Sequence, residues 1–220
     1  MGGPLVLVFF RQLYYTGVQS AGIVMLLAAL AGGGFVVTVE NTLPIGTATI
    51  LELLATLMVK VLAVVFTLLV IAARSVSAIS TELAMLQLTR LGVSPRLYLV
   101  LPRVLAPMVS GAVLYLYFVV SALLVGALVS RGSFDLWEVV QIFAALSPQQ
   151  ILLGMLRTGV FAGLALAYVL RFAINRARRF PDIPLAASDG VFQAIVVMLL
   201  LEFGYQLLCG ALSPKTGAPW

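Results

Sequence analysis

The 220-residue chain has no histidine, a single cysteine (Cys209) and only two lysines, Lys60 and Lys215. The missing histidine removes imidazole metal ligands and the commonest general base. One cysteine cannot form an internal disulfide or a cysteine-rich metal site, so no metal centre is expected. No G-x-x-x-x-G-K-[ST] segment occurs. The chain therefore lacks a Walker-type phosphate cradle, no cofactor of its own is expected, and any ATP used is bound by a partner chain. Charge is also scarce, at 10% of residues against roughly 25% in a soluble domain. What replaces it is apolar: 62% of residues are hydrophobic and the mean hydropathy is +1.15. A soluble fold of this size cannot hide so much apolar surface, so lipid must solvate much of the chain.

Five apolar stretches are long enough to cross a bilayer, which takes about 20 helical residues: 17–39, 50–73, 107–129, 151–170 and 191–212. They do not alternate as barrel strands would. The prolines fall outside or at the edges of these stretches, Pro107 opening the third, so the helix interiors keep their hydrogen bonds. Lys and Arg set the orientation. Arg11, Arg74, Arg90, Arg96, Arg103, Arg171, Arg176, Arg178 and Arg179 fall on one side, Arg131 and Lys215 on the other. This distribution places the N-terminus inside and the C-terminus outside. The net charge of +5 is mostly this topology signal together with attraction to anionic lipid, and no nucleic-acid partner is expected. Residues 1–15 are apolar and aromatic with Arg11 late, the reverse of a secretory signal. They read as a helix in the cytoplasmic interface, or alternatively as an extension of the first span. Residues 134–146 read as a short amphipathic helix on the outer surface. The expected fold is all-α and integral to the membrane, a single domain over 1–220 with five spans.

Ionisable residues inside spans are costly and call for a partner or a wet cavity. Lys60 and Glu202 both fall near the midplane, although their spans run in opposite directions. They face one cavity or pair within it; the plainer alternative is an ion pair that only fixes helix register. Glu52 and Arg157 lie toward the outer ends of their spans. The two pair or snorkel to the headgroups; Glu52 reads better as a snorkelling side chain, and Arg157, deeper, as a contact for a lipid headgroup. With Arg74 at the inner end of span two, Lys60, Glu202 and Arg157 make up the candidate substrate cavity. Gly159 and Gly163 form a G-x-x-x-G in span four, and Gly32, Gly33 and Gly34 a run in span one; both permit close helix contact.

Between spans two and three, Leu83, Met85, Leu86, Leu88 and Leu91 give an amphipathic helical stretch. Gly92 can end it, and Ser94-Pro95 makes a turn. A short cytoplasmic helix of this kind can dock its apolar face in a groove on a separate motor. The candidate coupling residues are Glu82, Leu83, Leu86, Arg90, Gly92 and Pro95.

These residues carry a resemblance. Ala73, Arg74, Ser77, Ala78, Ile79, Glu82 and Leu83, then Leu91 to Pro95, Tyr98, Leu99, Val100, Pro102, Arg103, Leu105 and Ala106 are similar to the signature of the MlaE family. These are permease subunits of ABC lipid transporters associated with MCE proteins. The segment between Glu82 and Gly92 is shorter here and lacks the family's acidic run, and residues 175–189 replace a glycine-rich loop, as in a divergent member. The resemblance implies two permease copies around a central cavity. It implies ABC ATPase subunits pressing on residues 82–95, an MCE-type lipid-binding protein on the outer side, and a STAS-type small subunit as a further partner. The substrate would be phospholipid, the place the bacterial inner membrane, and the process outer-membrane lipid asymmetry. The runner-up is a permease of another ABC class, since Leu91-Gly92-Val93-Ser94-Pro95 also looks like the coupling loop of solute importers. A non-transporting scaffold is the third reading. An intramembrane enzyme lacks a nucleophile–base pair, metal site or paired carboxylates.

Overall fold

A computed structural model describes residues 3–43, 46–83, 101–131, 140, 148–176 and 183–212, and among these there is no strand. The helices are α1 (Gly3–Leu13), α2 (Gln19–Thr42), α3 (Thr47–Leu57), α4 (Ala63–Leu83), α5 (Leu101–Arg131), α6 (Pro148–Arg176) and α7 (Ile183–Leu212). Two π-helical turns interrupt the series. Tyr14–Val18 joins α1 to α2, and Met58–Leu62 joins α3 to α4.

Among the described residues, five segments are long and apolar enough to cross a membrane: Phe9–Thr42, Thr49–Arg74, Val104–Ser130, Pro148–Arg171 and Asp189–Cys209. Their number and order match the sequence reading, but several boundaries move. The first helical run is continuous from α1 through the π-turn into α2, and its apolar part begins at Phe9, earlier than position 17. The third helix begins at Leu101, so Pro107 stands inside α5 rather than opening it. Proline has no N–H to give and strains the preceding turn. One turn on, the buried Ser110 hydroxyl donates to the Ala106 carbonyl at 2.6 Å. Pro148 occupies the first position of α6, where its missing N–H costs nothing. Helix α4 continues past Arg74 to Leu83, so Glu82 and Leu83 extend the second span's helix. Leu86, Arg90, Gly92 and Pro95 lie outside the described residues, as does the outer helix expected over 134–146 except for Val140.

Helix α5 is the centre of the bundle. It packs most extensively against α2 and α6 and also meets α1, α3 and α4, while α7 lies against α4 and α6. The second span is the most buried of the five and the fifth the least. Lipid tails are as apolar as leucine, so burial by itself drives little association between spans; close packing must do it. The glycines show how. A Cβ on Gly32 would strike the Ala122 carbonyl of α5, so α2 and α5 touch backbone to backbone there. A Cβ on Gly159 would lie 2.6 Å from the Met108 carbonyl, and one on Gly163 would strike the Met108 side chain. The G-x-x-x-G of span four is therefore the α5 contact. Gly34, by contrast, faces open space. Phe66 of α4 stacks on Phe118 of α5 with ring centroids 5.6 Å apart.

Candidate functional site

The π-turn at Met58–Leu62 lies in the middle of the second span, and side chains from three other helices converge on it. A π-turn is a wide turn: the Ala63 N–H reaches back five residues to the Met58 carbonyl. Backbone carbonyls at such a turn are available to outside donors. Here two of them are taken. The Tyr115 hydroxyl of α5 donates to the Val59 carbonyl at 2.9 Å. The Lys60 carbonyl accepts from Arg157 Nη2 of α6 at 2.5 Å and from Gln206 Nε2 of α7 at 3.1 Å.

The donors are themselves connected. Arg157 Nη2 is 3.4 Å from Glu202 Oε1, and the two side chains are 9% and 5% exposed. The Gln206 amide also donates to Glu202 Oε1 at 2.8 Å. The Arg157 guanidinium lies over the Tyr205 ring, 4.5 Å from its centroid, a favourable seat for a desolvated cation. Within the bundle the opposite charges of Arg157 and Glu202 cancel, which is how such groups are tolerated at membrane depth. Two valences stay open: Arg157 Nε and Glu202 Oε2 are buried without a hydrogen-bond partner. A close approach secures the other corner, for a Cβ on Gly154 would strike the Tyr115 ring.

The structure brings together three of the four cavity candidates. Glu202 and Arg157 form the ion pair. Lys60 joins them through its backbone carbonyl, while its side chain is exposed. The partner of Glu202 among the described residues is thus Arg157, and Arg157 is a buried member of the knot. Arg74 is elsewhere: it stands 14 positions after Lys60 on the same helical run, about 21 Å along the axis, and its Nη2 reaches the Gln19 carbonyl at 3.5 Å. Glu52, Thr56 and Lys60 form an exposed line at four-residue spacing on the N-terminal half of the second span. Of the coupling candidates, Glu82 and Leu83 close α4.

Sequence reasoning missed Gln206, Tyr115 and Tyr205. Gln206 stands four residues after Glu202, one turn along the same helix face, and that spacing was the available signal. Nothing in the sequence announces the π-turn that Tyr115 serves.

The same turn borders an apolar groove of about 420 Å³ between α2 and the second span. Met58, Leu62 and Phe66 line one wall, and Gly34, Phe35 and Val39 the other. Its one polar side chain, Thr38, is internally satisfied by the Gly34 carbonyl at 2.7 Å. The groove opens toward α2 and the knot faces α6 and α7, so the two lie on different sides of the turn.

A family model described as Permease MlaE matches residues 9–208. No curated protein matches the chain.

Proposed function

The chain belongs to the MlaE permease family, and from that premise we propose that it is the membrane subunit of an ABC transporter that moves phospholipid. The lipid passes between the inner membrane and a periplasmic MCE-type lipid-binding protein. ATP is hydrolysed by a separate ATPase subunit, and two permease copies enclose the path. The N-terminus lies in the cytoplasm, with residues 1–15 in the interface, and residues 82–95 receive the ATPase.

The observation that carries this reading is Lys60, a cation exposed at mid-span. A charge there costs about 2.5–3.5 kcal/mol on insertion scales unless it meets water or a counter-charge. Arg157 and Glu202 already neutralise each other, so among the described residues the Lys60 ammonium is left for an outside anion. A phosphodiester headgroup supplies that anion, and acyl chains suit the exposed apolar side chains on the same helix face, Leu53, Leu57 and Val61. Two-sided chemistry of this kind favours a lipid over the polar solutes of other ABC importers.

Affinity purification in mild detergent, with mass spectrometry of proteins and bound lipids, tests it. We expect an ATPase, an MCE-type protein and phospholipid to be recovered together. Recovery of an ATPase with a soluble solute-binding protein would replace this reading by the solute-importer one. Recovery of the chain alone would overturn the coupling role of residues 82–95.

A further inference from the structure

We infer that Tyr115 and Gln206 are positioning residues. By holding the Val59 and Lys60 carbonyls they keep the second span's π-turn open, and the π-turn holds Lys60 on the exposed face. The inference rests on the proposal that Lys60 meets the substrate headgroup.

The exposed line Glu52, Thr56 and Lys60 does not continue down the helix. Val64, Leu68 and Ala72, which follow at the same spacing, are all buried. The register of exposure changes at Met58–Leu62, the π-turn. A π-turn accommodates one residue more than the α-helical turn it replaces. Relative to α4, everything before it is therefore rotated by one residue, about 100°. Without the extra residue each position of the N-terminal half would move into the place its predecessor holds now. Thr56 would enter the buried place of Ala55, and Leu54 the exposed place of Leu53. Lys60 would turn to the buried place of Val59.

Two of the groups that hold the carbonyls come from other helices and carry no charge. The Tyr115 hydroxyl reaches across from α5 to the Val59 carbonyl, and Gln206 spans the Lys60 carbonyl and Glu202. Closing the turn would strand the Tyr115 hydroxyl in a region without water, where an unpaired donor is most costly, and leave the Gln206 amide with Glu202 alone. Arg157 also holds the Lys60 carbonyl but keeps Glu202 and Tyr205 as partners either way. Tyr115 and Gln206 are therefore the groups whose removal tests the register without destroying the ion pair.

The test uses the full chain with Cys209→Ala, so that single cysteines can be labelled with a nitroxide at positions 53 to 57. Accessibility to oxygen is read by electron paramagnetic resonance. The parent should show Thr56 more accessible than Leu54. In Tyr115→Phe with Gln206→Met, the ratio of position 56 to position 54 should fall from above one to below one. If the double variant does not fold, Tyr115→Phe alone, which deletes one hydroxyl, should lower the same ratio at least twofold. An unchanged ratio in a folded variant overturns the inference, whatever transport does. A changed ratio with phospholipid binding and transport intact upholds the positioning role and instead removes Lys60 from the substrate site.

Discussion

Replacing Glu202 by alanine leaves the Arg157 guanidinium in the bundle without its counter-charge. The side chains of the pair are 9% and 5% exposed, so solvent screens little of the loss. Removing one partner of a buried pair costs about 3–5 kcal/mol. Arg157 keeps the Lys60 carbonyl and the Tyr205 ring, which places Glu202→Ala near the lower figure, about 3 kcal/mol. Arg157→Met strands the carboxylate with a single remaining donor, the Gln206 amide, and should cost nearer about 5 kcal/mol. The double variant Arg157→Met with Glu202→Leu removes both charges and restores apolar volume. It should be more stable than the two single costs summed by at least about 2 kcal/mol. Equilibrium unfolding in mixed micelles with a rising fraction of dodecyl sulfate, followed by near-ultraviolet circular dichroism, measures all four proteins. Costs that add within about 0.5 kcal/mol would refute the claim that the two side chains act as a buried pair.

The glycine run in the first span should divide sharply. Gly32→Ala puts a methyl on the Ala122 carbonyl and should cost about 1–3 kcal/mol, whereas Gly34→Ala meets open space and should gain up to about 1 kcal/mol; thermal denaturation in detergent compares them. Lys60→Met should leave stability unchanged or raised, because an exposed mid-span charge is removed, yet lower phospholipid transport at least tenfold in proteoliposomes carrying the proposed ATPase and MCE-type partners; Lys60→Arg should retain most of it. Full transport by Lys60→Met would detach the headgroup from this residue. Cys209 is free and exposed at the C-terminal end of the fifth span. With the C-terminus outside, it should react with a membrane-impermeant maleimide in intact spheroplasts, and labelling only after lysis would invert the topology.

Much of this was legible before any coordinates. An apolar run of about 20 residues has one low-energy state in lipid, a helix. The five spans therefore follow from composition and length, and the motif around Ala73–Ala106 pointed to the family that the match over residues 9–208 then established. Span ends were less legible. Pro107 reads as a helix start but stands inside α5, because a proline's lost hydrogen bond is tolerable where neighbouring helices pack closely. Helix α4 likewise runs on to Leu83, since polarity marks where water begins rather than where a helix stops.

The candidate site divides along the same line. That Lys60, Arg157 and Glu202 are special is a property of the sequence alone, for a charge in a span is expensive in any fold. Their partnership is not, because charge carries no information about which helix lies beside which. Contacts decided it: Gly154 and Gly159 bring α6 onto α5, α7 lies against α4 and α6, and Arg157 then reaches Glu202 while Arg74 stays about 21 Å along the helix from Lys60. Only the tertiary structure could show that Lys60 joins the knot through its carbonyl while its ammonium faces outward. A π-turn is marginal by itself, and it is held open by hydrogen bonds from residues 56, 97 and 146 positions away in the chain.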